Sequence, residues 1–453
     1  MKFIFITGGV VSGLGKGITA ASLGLLLKSR GYKVTNVKAD MYLNIDAGTI
    51  RPLEHGENFV TKDGLETDED IGHYERFLGQ DLTRANYITT GQIYQEVLRK
   101  ERAMEYEGED VEAIPHLTDE ITRRIIEAGK KDNADIVITE FGGTITLQEI
   151  QNRIFIEASR IMKLKAYDDV VQIHVTYLPF VKTLGELKSK PAQTSVYILN
   201  SMGVQPDIVV ARSEVPVDQR RLDRIALFTN TRPECIFSVP DAKSVYEVPL
   251  TLKNVHAELD ELVLKMLKLP VKRQGNLIKD WEKMVKRSQE KDLKEITIAM
   301  VTKYYKSGNF DLSDSYVSVI EAIKHAQTQI GAKVNIKWVN SEGDFDLTGV
   351  DGVIVPQGWG SRGVEGKLKA VKYARENKIP YLGLCFGMQM AVIEFARNVL
   401  GLKDANSEEA DPKTKNPVIH MMEAQKEYLA KHQYGGTIRL GAWPAVIDKK
   451  SKL

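Results

Sequence analysis

Residues 6–18 read Ile6-Thr7-Gly8-Gly9-Val10-Val11-Ser12-Gly13-Leu14-Gly15-Lys16-Gly17-Ile18, and this stretch decides the fold of the first half of the chain. It follows an apolar run at residues 3–7, which predicts a strand, and leads into helix-forming sequence at residues 20–30. Glycines allow backbone N–H groups to surround an anion, and the helix N-terminus adds positive potential. Lys16 can neutralise phosphate charge, so the order of strand, glycine loop, lysine and helix predicts a phosphate-binding loop.

The loop departs from the Walker A pattern in two places. Five residues separate Gly9 from Gly15, where Walker A has four, and Gly17 stands where a Ser or Thr ordinarily binds Mg²⁺. A purely structural glycine turn is the alternative interpretation. Because the hydroxyl is missing, a bound Mg²⁺ needs other oxygen ligands, and carboxylates together with phosphates are the usual ones.

Two acidic residues are candidates for that role. Glu140 directly follows a predicted buried strand at residues 136–139. Ligands gather at the carboxyl ends of strands in open α/β sheets, so Glu140 is well placed. Asp70 lies in a stretch that is acidic throughout (residues 63–77), for which a solvated charge is the simpler interpretation when the stretch is read alone.

Short β-branched runs alternate with helical stretches along most of the chain. The predicted strands of the first part lie at residues 3–7, 33–38, 134–139, 170–176 and 207–211, and those of the last part at 296–301, 333–338, 352–355 and 381–384. This alternation predicts βαβ units on parallel sheets with helices on both faces. A charged segment interrupts it and predicts a linker with one amphipathic helix. We therefore predict two α/β domains, 1–268 and 295–453, joined by a linker at 269–294.

Composition narrows the class of protein. The chain has 453 residues, too many for a single core, and its formal net charge of +1 predicts no general attraction to nucleic acid or anionic membranes. No apolar run reaches the length of a membrane span. Two cysteines, Cys235 and Cys385, cannot form a disulfide framework, as is typical of a reducing cytosol. We expect a soluble, cytoplasmic, multidomain protein with neither nucleic acid nor membrane as a partner.

Cys385 is the candidate nucleophile of the last part of the chain. Residues 379–389 (IPYLGLCFGMQ) predict a strand that enters a helix through a tight turn with the cysteine in it. That is the arrangement of a nucleophile elbow, where the helix N-terminus favours the thiolate. The alternative is a buried, inert cysteine, the usual state of an unpaired one. The turn context favours the catalytic interpretation.

Taken together, long stretches of the sequence resemble the CTP synthase family nearly from end to end. The resemblance is carried by residues 6–18, 44–57, 66–77, 89–102, 185–196, 205–214, 360–409 and 435–444. It implies an α/β fold: a P-loop-like parallel-sheet amidoligase domain (1–268), then an incomplete flavodoxin-like class I glutamine amidotransferase domain (295–453). The implied activity is ATP-dependent amination of UTP to CTP through UTP phosphorylated on its 4-oxygen, with ammonia from glutamine.

The resemblance also implies ligands and partners. Mg²⁺ and ATP would be bound, with UTP and L-glutamine or ammonia as the other substrates. CTP would act as product inhibitor and GTP as activator. The chain would assemble as a homotetramer.

Roles for individual residues are likewise implied by the resemblance. The ATP-phosphate loop would comprise Gly13, Leu14, Gly15, Lys16, Gly17 and Ile18, with Lys38 at the transferred phosphate, and Asp70 and Glu140 would bind Mg²⁺. UTP or CTP would contact Ser12, Glu149, Lys188, Ser189, Lys190, Pro191, Ala192, Gln193 and Arg224. Glutamine would contact Gly358, Phe386, Gly387, Met388, Gln389 and Glu409 before attack by Cys385. Without the family context, residues 188–193 would be read as a solvated basic loop.

Several positions depart from the family pattern. Ala103 replaces an arginine linked to nucleotide effectors, Leu147 replaces an aspartate that contacts CTP, and Gln357 replaces a glycine of the oxyanion loop. The first departure bears on GTP activation and the second on CTP inhibition. The family's catalytic histidine, in a late Gln-Phe-His-Pro-Glu segment, does not lie within residues 1–453. We expect a truncated form whose glutaminase half is inactive.

Two other functions compete with this one. The first is another amidoligase with a similar loop, of the dethiobiotin or cobyrinic acid type. The second is a non-catalytic nucleotide-binding subunit that assembles with full-length relatives. Ammonia-dependent formation of CTP by the purified chain distinguishes the leading hypothesis from both.

Overall fold

The structure is a computed structural model. It describes residues 1–9, 11–51, 56–146, 150–290, 293–303, 306–307, 310–311, 313–431, 435–436 and 439–451. The chain divides into two compact units: Met1–Ala47, Phe59–Val285 and Leu440–Leu453 form the first, and Gly48–Asn58 and Lys286–Arg439 form the second. Within the described residues, no helix is both long and apolar enough to cross a membrane.

A parallel seven-stranded sheet forms the centre of the first unit. The strands of this unit are β1 (Lys2–Gly8), β2 (Val34–Asp40), β3 (Phe59–Val60), β4 (Glu66–Thr67), β5 (Tyr87–Thr89), β6 (Ile136–Phe141), β7 (Val170–Tyr177), β8 (Phe180–Val181), β9 (Glu186–Leu187), β10 (Ile208–Ser213) and β11 (Ile236–Pro240). The sheet order is β11-β10-β7-β1-β6-β2-β5, and every neighbouring pair is parallel. β3 with β4 and β8 with β9 form small antiparallel hairpins.

Helices cover both faces of this sheet. They are α1 (Lys16–Ser29), α2 (Glu69–Leu78), α3 (Thr90–Arg102), α4 (Thr118–Lys131), α5 (Ile150–Lys165), α6 (Lys190–Ser201), α7 (Gln219–Thr229), α8 (Leu259–Met266) and α9 (Asn276–Ser288). Alternate residues of β1 enter two different cores: Ile4 and Ile6 pack in one, and Phe3 and Phe5 in the other. Strands buried on both faces need apolar side chains at every position, which explains the unbroken apolar run at the start of the sequence.

The second unit has its own parallel sheet of four strands. Its elements are β12 (Lys294–Thr302), β13 (Lys306–Ser307), β14 (Phe310–Asp311), α10 (Val317–Ile330), β15 (Ala332–Asn340), β16 (Gly352–Val355), α11 (Val364–Glu376), β17 (Tyr381–Gly383), α12 (Phe386–Asn398), β18 (Ala405–Ser407), β19 (Asn416–Ile419) and α13 (Glu423–Ala430). The sheet order β15-β12-β16-β17 is that of a flavodoxin-like sheet, in which the second strand lies outside the first. The predicted fold class is therefore confirmed for both parts of the chain.

The predicted strands are all present, but the first helix begins earlier than predicted. α1 starts at Lys16, inside the glycine loop, rather than at residue 20. Gly15 makes this start possible because it caps the helix in the left-handed conformation, with φ 79°. Lys16 is consequently the first residue of the helix, next to the N–H groups that have no partner within it.

Candidate functional site

The glycine loop forms an open cradle at the end of β1. Gly13 and Gly15 both have left-handed backbone conformations, with φ of 70° and 79°, which side chains with a Cβ rarely adopt. The Lys16 side chain runs back along the loop, so closely that a Cβ on Gly8 would lie 2.5 Å from its Cδ. Its Nζ donates a hydrogen bond of 2.8 Å to the carbonyl oxygen of Gly143, after β6. Burial lowers the pKa of Lys16.

Next to the cradle, four carboxylates surround the ammonium group of Lys38. Asp70 Oδ2 accepts a hydrogen bond from Lys38 Nζ. The same Nζ lies 3.2 Å from Glu140 Oε1, 3.3 Å from Asp68 Oδ1 and 3.9 Å from Asp40 Oδ1. Only 6% of the Lys38 side chain is exposed, so these charges interact with little screening by water.

Strand register and a helix cap bring these groups together. Lys38 on β2 and Glu140 on β6 are Cα partners at the carboxyl ends of adjacent strands. Asp40 points to the same face as Lys38 because side chains two residues apart share a face of a strand. Asp68 caps α2, where its side chain accepts a 2.9 Å hydrogen bond from the backbone N–H of Asp70. The cap fixes Asp70 in the first turn of the helix, facing the cradle.

Gly17 and Asp70 are complementary. A Cβ added to Gly17 would lie 1.8 Å from Asp70 Oδ1, so the carboxylate occupies the space that a Ser or Thr side chain would fill in a Walker A loop. The missing hydroxyl is thus explained by the structure. An oxygen from α2 stands beside the position at which the loop itself ordinarily supplies one.

The electrostatics of the cluster favour a cation. Burial alone would lower the pKa of Lys38, but the surrounding carboxylates raise it well above its usual value. Burial would raise the pKa of Asp70, but the charges of Lys38 and His73 and the hydrogen bonds that Asp70 makes together lower it to about 2. Glu140 is fully buried, and burial together with repulsion from Asp70 raises its pKa to about 7. The cluster contains four carboxyl groups (Asp40, Asp68, Asp70 and Glu140) and two lysines (Lys16 and Lys38). It can therefore accommodate an additional cation.

The donor set suits Mg²⁺, a hard cation that binds oxygen. The described residues contain no group of three or more His, Cys, Asp or Glu side chains arranged to hold a metal by themselves. Mg²⁺ does not require one, because it takes one or two carboxylates and completes its shell with phosphates and water. The structure brings the predicted ligands Asp70 and Glu140 to the same ammonium group. Sequence reasoning missed Asp40 and Asp68, although the position of Asp40 two residues after Lys38 was a usable signal.

The predicted pyrimidine-nucleotide segment lies at the start of α6. Lys188 forms an ion pair with Glu186, and Gln193 Nε2 donates a 3.1 Å hydrogen bond to Ser189 Oγ. Lys190 is the first residue of the helix, and Pro191 stands in the first turn, where its fixed φ suits a helix start. Ala192 is buried beneath them. Two lysines and the first N–H groups of the helix therefore lie at the N-terminus of α6.

Arg224 lies on α7, the helix that packs against α6 through Ala192, Val196 and Ile225. Its guanidinium group lies 5.7 Å from the centre of the Phe228 ring. Ser12 is exposed in the glycine loop. The predicted contact Glu149 and the departure at Leu147 lie outside the described residues.

In the second unit, Cys385 occupies a strained turn between β17 and α12. Its φ of 53° and ψ of −107° are unusual for a residue with a side chain, as expected of a nucleophile elbow. A Cβ on Gly387 would lie 1.9 Å from the carbonyl oxygen of Val355, so glycine is required there. Cys385 is exposed, but partial burial of its thiol raises the pKa more than the Phe386 N–H lowers it. The expected preference for the thiolate stays a prediction, and the raised pKa of the thiol runs against it.

Two buried lysines lie behind the predicted oxyanion loop. A Cβ on Gly358 would lie 2.9 Å from Lys303 Cε and 3.3 Å from Lys367 Nζ. Lys367 Nζ donates to the carbonyl oxygen of Pro356 at 3.3 Å, and both ammonium groups lie over the Phe386 ring, 5.0 and 5.1 Å from its centre. Burial lowers the pKa of Lys303 to about 8 and that of Lys367 to about 7. Sequence reasoning missed both lysines, since lysine ordinarily predicts a surface position.

The remaining predicted glutamine contacts surround the same turn. Glu409 Oε1 accepts a 2.5 Å hydrogen bond from the backbone N–H of Gly360. Met388 is exposed and Gln389 is half-buried on the first turn of α12. Gln357 Nε2 donates to Glu57 Oε1 at 3.1 Å, so this departure from the family pattern has a specific partner within the second unit.

The fold and its two clusters define a class. A lysine-bearing phosphate loop beside acids at the carboxyl edge of a parallel sheet is suited to a ligase driven by ATP. The cysteine elbow on a flavodoxin-like sheet is suited to the release of an amide nitrogen by nucleophilic attack. The two units together have the architecture of an ATP-dependent amidoligase joined to a glutamine amidotransferase.

Comparison with known proteins specifies the family. Residues 2–269 match the family described as CTP synthase N-terminus, and residues 311–438 match glutamine amidotransferase class-I. The chain belongs to the CTP synthase family.

Individual relatives are similar in sequence to this chain over nearly its whole length. The CTP synthase of Caldanaerobacter subterraneus is 49% identical over 100% of this chain and 82% of its own length. That of Pyrococcus furiosus is 50% identical over 99% and 81%, and that of Bacillus subtilis 47% identical over 100% and 83%. A solved glutaminase domain of Trypanosoma brucei CTPS with bound acivicin is 39% identical over 29% of this chain and 51% of its own, with a TM-score of 0.26.

Proposed function

We propose that this chain converts UTP to CTP with ATP and ammonia. The observation that carries the proposal is the convergence of Lys16, Lys38, Asp70 and Glu140 on the glycine cradle, in a chain about half identical to proteins named CTP synthase. The proposed overall reaction is balanced: ATP, UTP and ammonia give ADP, inorganic phosphate and CTP. The domain limits that we propose are 1–268 for the amidoligase, 269–294 for the linker and 295–453 for the amidotransferase.

The proposed chemistry needs positioning and charge neutralisation more than a nucleophilic side chain. The N–H groups of residues 13–18 would cradle the phosphates of ATP, and Lys16 would neutralise part of their charge. The UTP 4-oxygen attacks the γ-phosphorus, and Lys38, held between the acids, would neutralise charge that develops on the transferred group. Ammonia then adds to C4 and the C4–O bond breaks, with phosphate as the leaving group.

Asp70 and Glu140 would hold Mg²⁺, with Asp40 and Asp68 next to them. When bound, the ion would add positive charge at the phosphates of ATP. The fit of Asp70 into the space beside Gly17 supports this assignment, since it supplies an oxygen where Walker A has a hydroxyl.

UTP would be bound by the start of α6 and by Ser12 and Arg224. Lys188 and Lys190 are suited to a triphosphate, and Gln193 can both donate and accept hydrogen bonds. CTP would compete at the same residues. Activation by GTP, assembly as a homotetramer and residence in the cytoplasm are further parts of the proposal, and they rest on the family resemblance.

The second unit would supply ammonia from glutamine. Cys385 would attack the side-chain amide, and the backbone at Gly358 would stabilise the oxyanion. Residues 386–389 and Glu409 would hold the glutamine. The buried Lys303 behind Gly358 supports this assignment, because its pKa of about 8 leaves it mostly charged at neutral pH, and positive charge there favours negative charge on a bound oxygen.

The test uses ammonium chloride as the nitrogen source, so that it addresses the first unit alone. We expect the purified chain to form CTP from UTP in the presence of Mg-ATP, with one phosphate released for each CTP. Lys16→Met should abolish the product, whereas Lys283→Met, at a side chain that is 77% exposed, should not. Amidation of a dicarboxylate without any activity on UTP would favour an amidoligase of the dethiobiotin or cobyrinic acid type. Nucleotide binding without turnover would favour a non-catalytic subunit.

A further inference from the structure

A buried chain of hydrogen bonds crosses the first unit beneath the glycine cradle. Thr7 Oγ1 lies 2.9 Å from His174 Nδ1, and His174 Nε2 lies 2.7 Å from Ser195 Oγ. Ser195 Oγ also lies 3.0 Å from Thr176 Oγ1 and donates to the carbonyl oxygen of Ala192 at 3.2 Å. Each of the three hydroxyl residues is 1% exposed, and His174 is 0% exposed. The chemistry proposed above uses none of these four polar side chains.

The two ends of this chain lie at the two predicted nucleotide sites. Thr7 is on β1, immediately before the glycine loop. Ser195 is on α6, one turn from its start, and its bond to Ala192 reaches into the segment assigned to UTP. His174 on β7 bridges them, because β7 lies next to β1 in the sheet and α6 covers its end.

The glycine loop also lies close to the same elements at Gly9. A Cβ on Gly9 would lie 3.3 Å from Ser195 Oγ and 3.4 Å from Thr176 Oγ1. The space between the Gly9 backbone and the Ser195 hydroxyl is therefore no larger than one methyl group. The backbone of Gly9 is also held by Val175, whose carbonyl oxygen accepts from the Gly9 N–H at 2.9 Å. A displacement of α6 must move Ser195, and with it the hydrogen bond between Ser195 and His174.

His174 is suited to hold Thr7 and Ser195 in a fixed relative position. Burial, and then the charge of Lys16, lower its pKa to about 3, so the ring is neutral at physiological pH. A neutral imidazole has one donor and one acceptor nitrogen. Thr7 can accept from Nδ1 while it donates to the Ile173 carbonyl oxygen at 3.2 Å, and Ser195 then donates to Nε2 in place of Ala192. The reverse assignment, with Thr7 donating to Nδ1 and Ser195 to Ala192, satisfies the ring equally well.

We propose that the Thr7–His174–Ser195 chain couples the UTP site to the ATP-phosphate loop. A nucleotide that holds the start of α6 fixes Ser195, and Ser195 in turn fixes Thr7 and Gly9 in the conformation that binds phosphate. Coupling between binding sites is reciprocal, so ATP in the loop must raise the affinity for UTP by the same factor. This inference rests on the proposed function, which assigns the two nucleotides to these two sites. Thr7, His174 and Ser195 are positioning residues under it, since none of them is required to touch either nucleotide.

The experiment measures the coupling factor itself. The affinity for a non-hydrolysable ATP analogue is determined by calorimetry with and without saturating UTP, in Mg²⁺, at one protein concentration and with the oligomeric state checked by size-exclusion chromatography. We expect UTP to tighten the binding of the analogue about fivefold or more in the wild-type chain, within the usual range of such couplings. Ser195→Ala should bring the factor close to one. The affinity for each nucleotide alone should stay within about twofold of wild type, because no contact to a ligand is lost.

Ser201→Ala is the matched control. Ser201 lies on the same helix and donates to the carbonyl oxygen of Ile198 at 2.6 Å, the same local bond that Ser195 makes to Ala192. It should leave the coupling at the wild-type value. Thr7→Val removes the hydroxyl at the other end of the chain without changing the shape of the side chain, and should reduce the coupling as Ser195→Ala does.

The outcomes separate the inference from the proposed function. Failure of the wild-type chain to bind either nucleotide would overturn the assignment of the sites. Binding of both nucleotides with a coupling factor of one, or with a factor that Ser195→Ala and Thr7→Val leave unchanged, would overturn the inference alone. Equal loss of both affinities in the variants would show a purely structural role and would also overturn it.

Discussion

Replacement of Gly17 by alanine tests the most specific feature of the acid cluster. The added Cβ would lie 1.8 Å from Asp70 Oδ1, whereas ordinary contact begins at 3.4 Å, so the carboxylate must retreat by about 1.6 Å. Asp70 accepts from Lys38 on its other oxygen, and its helix is anchored by the Asp68 cap. The retreat therefore breaks the arrangement in which Asp70 and Glu140 share one cation.

The expected effect is on catalysis more than on stability. Displacement of a reacting group by about 1 Å costs about 100-fold in rate, so we expect kcat for ammonia-dependent CTP formation to fall by about 100-fold. Overpacking costs about 1–3 kcal/mol of stability. The higher helix propensity of alanine offsets up to about 1 kcal/mol of this destabilisation, because Gly17 lies in the first turn of α1.

The assay compares four proteins. Wild type, Gly17→Ala, Asp70→Asn and the double variant are tested for CTP formation across a range of Mg²⁺ concentrations. The two substitutions act on one carboxylate, so the double variant should be scarcely worse than either single one. Gly343→Ala is the control, since a Cβ there meets no atom within 4 Å and the backbone is not left-handed. Activity of Gly17→Ala within about threefold of wild type would refute the role given to Asp70.

Three further predictions concern other groups. His174 has a pKa lowered from 6.5 to about 3 by burial, so its contribution to stability is complete above pH 6.5 and is lost as the pH falls toward 3. The stability difference between wild type and His174→Gln should therefore shrink by about 1.4 kcal/mol per pH unit below 6.5, measured by urea unfolding; a difference independent of pH would contradict it. Because burial raises the pKa of Cys385 above 9.0, alkylation by iodoacetamide should be slow at pH 7 and accelerate through pH 9, while the buried Cys235 stays unmodified. Fast labelling of Cys385 at pH 7 would show a thiolate. Asp260→Ala removes the carboxylate that lies 2.5 Å from the buried guanidinium of Arg30, and it should lower the free energy of unfolding by about 3 kcal/mol in urea. A decrease below about 1 kcal/mol would mean that Glu258 and Glu261 are sufficient to pair with Arg30.

The sequence was sufficient to predict the sheets because their strands are buried on both faces. Apolar runs such as residues 3–7 and 136–139 cannot be satisfied at a surface, and their alternation with helices leaves few topologies. The glycine loop was likewise predictable, since strand, glycines and lysine are contiguous. These features depend on residues that are neighbours in the chain.

The acid cluster depends on packing between distant elements, and the sequence predicts it only in part. Asp70 was distinguished from its acidic neighbours by family resemblance, not by spacing. Its fit beside Gly17 arises because α2 packs on α1, and this contact has no signature in either stretch. Asp68 both caps a helix and lies near Lys38. In the sequence it is recognisable only as a helix cap, so its place in the site could not be predicted.

Buried polar residues could not be predicted from the sequence either. His174 alternates with Ile173 and Val175 on a central strand, where a sequence pattern indicates only core. Lys367 is 0% exposed on α11, although lysine predicts solvent. Both residues could be recognised only when the structure showed which groups face them.

The destination of the UTP 4-oxygen tests the central proposal most directly. UTP labelled with ¹⁸O at position 4 is incubated with the chain, Mg-ATP and ammonium chloride, and the inorganic phosphate is examined by mass spectrometry. If that oxygen is phosphorylated and then displaced, each CTP formed must leave one labelled phosphate. Formation of CTP with unlabelled phosphate, or cleavage of ATP with the label still in UTP, would contradict the account.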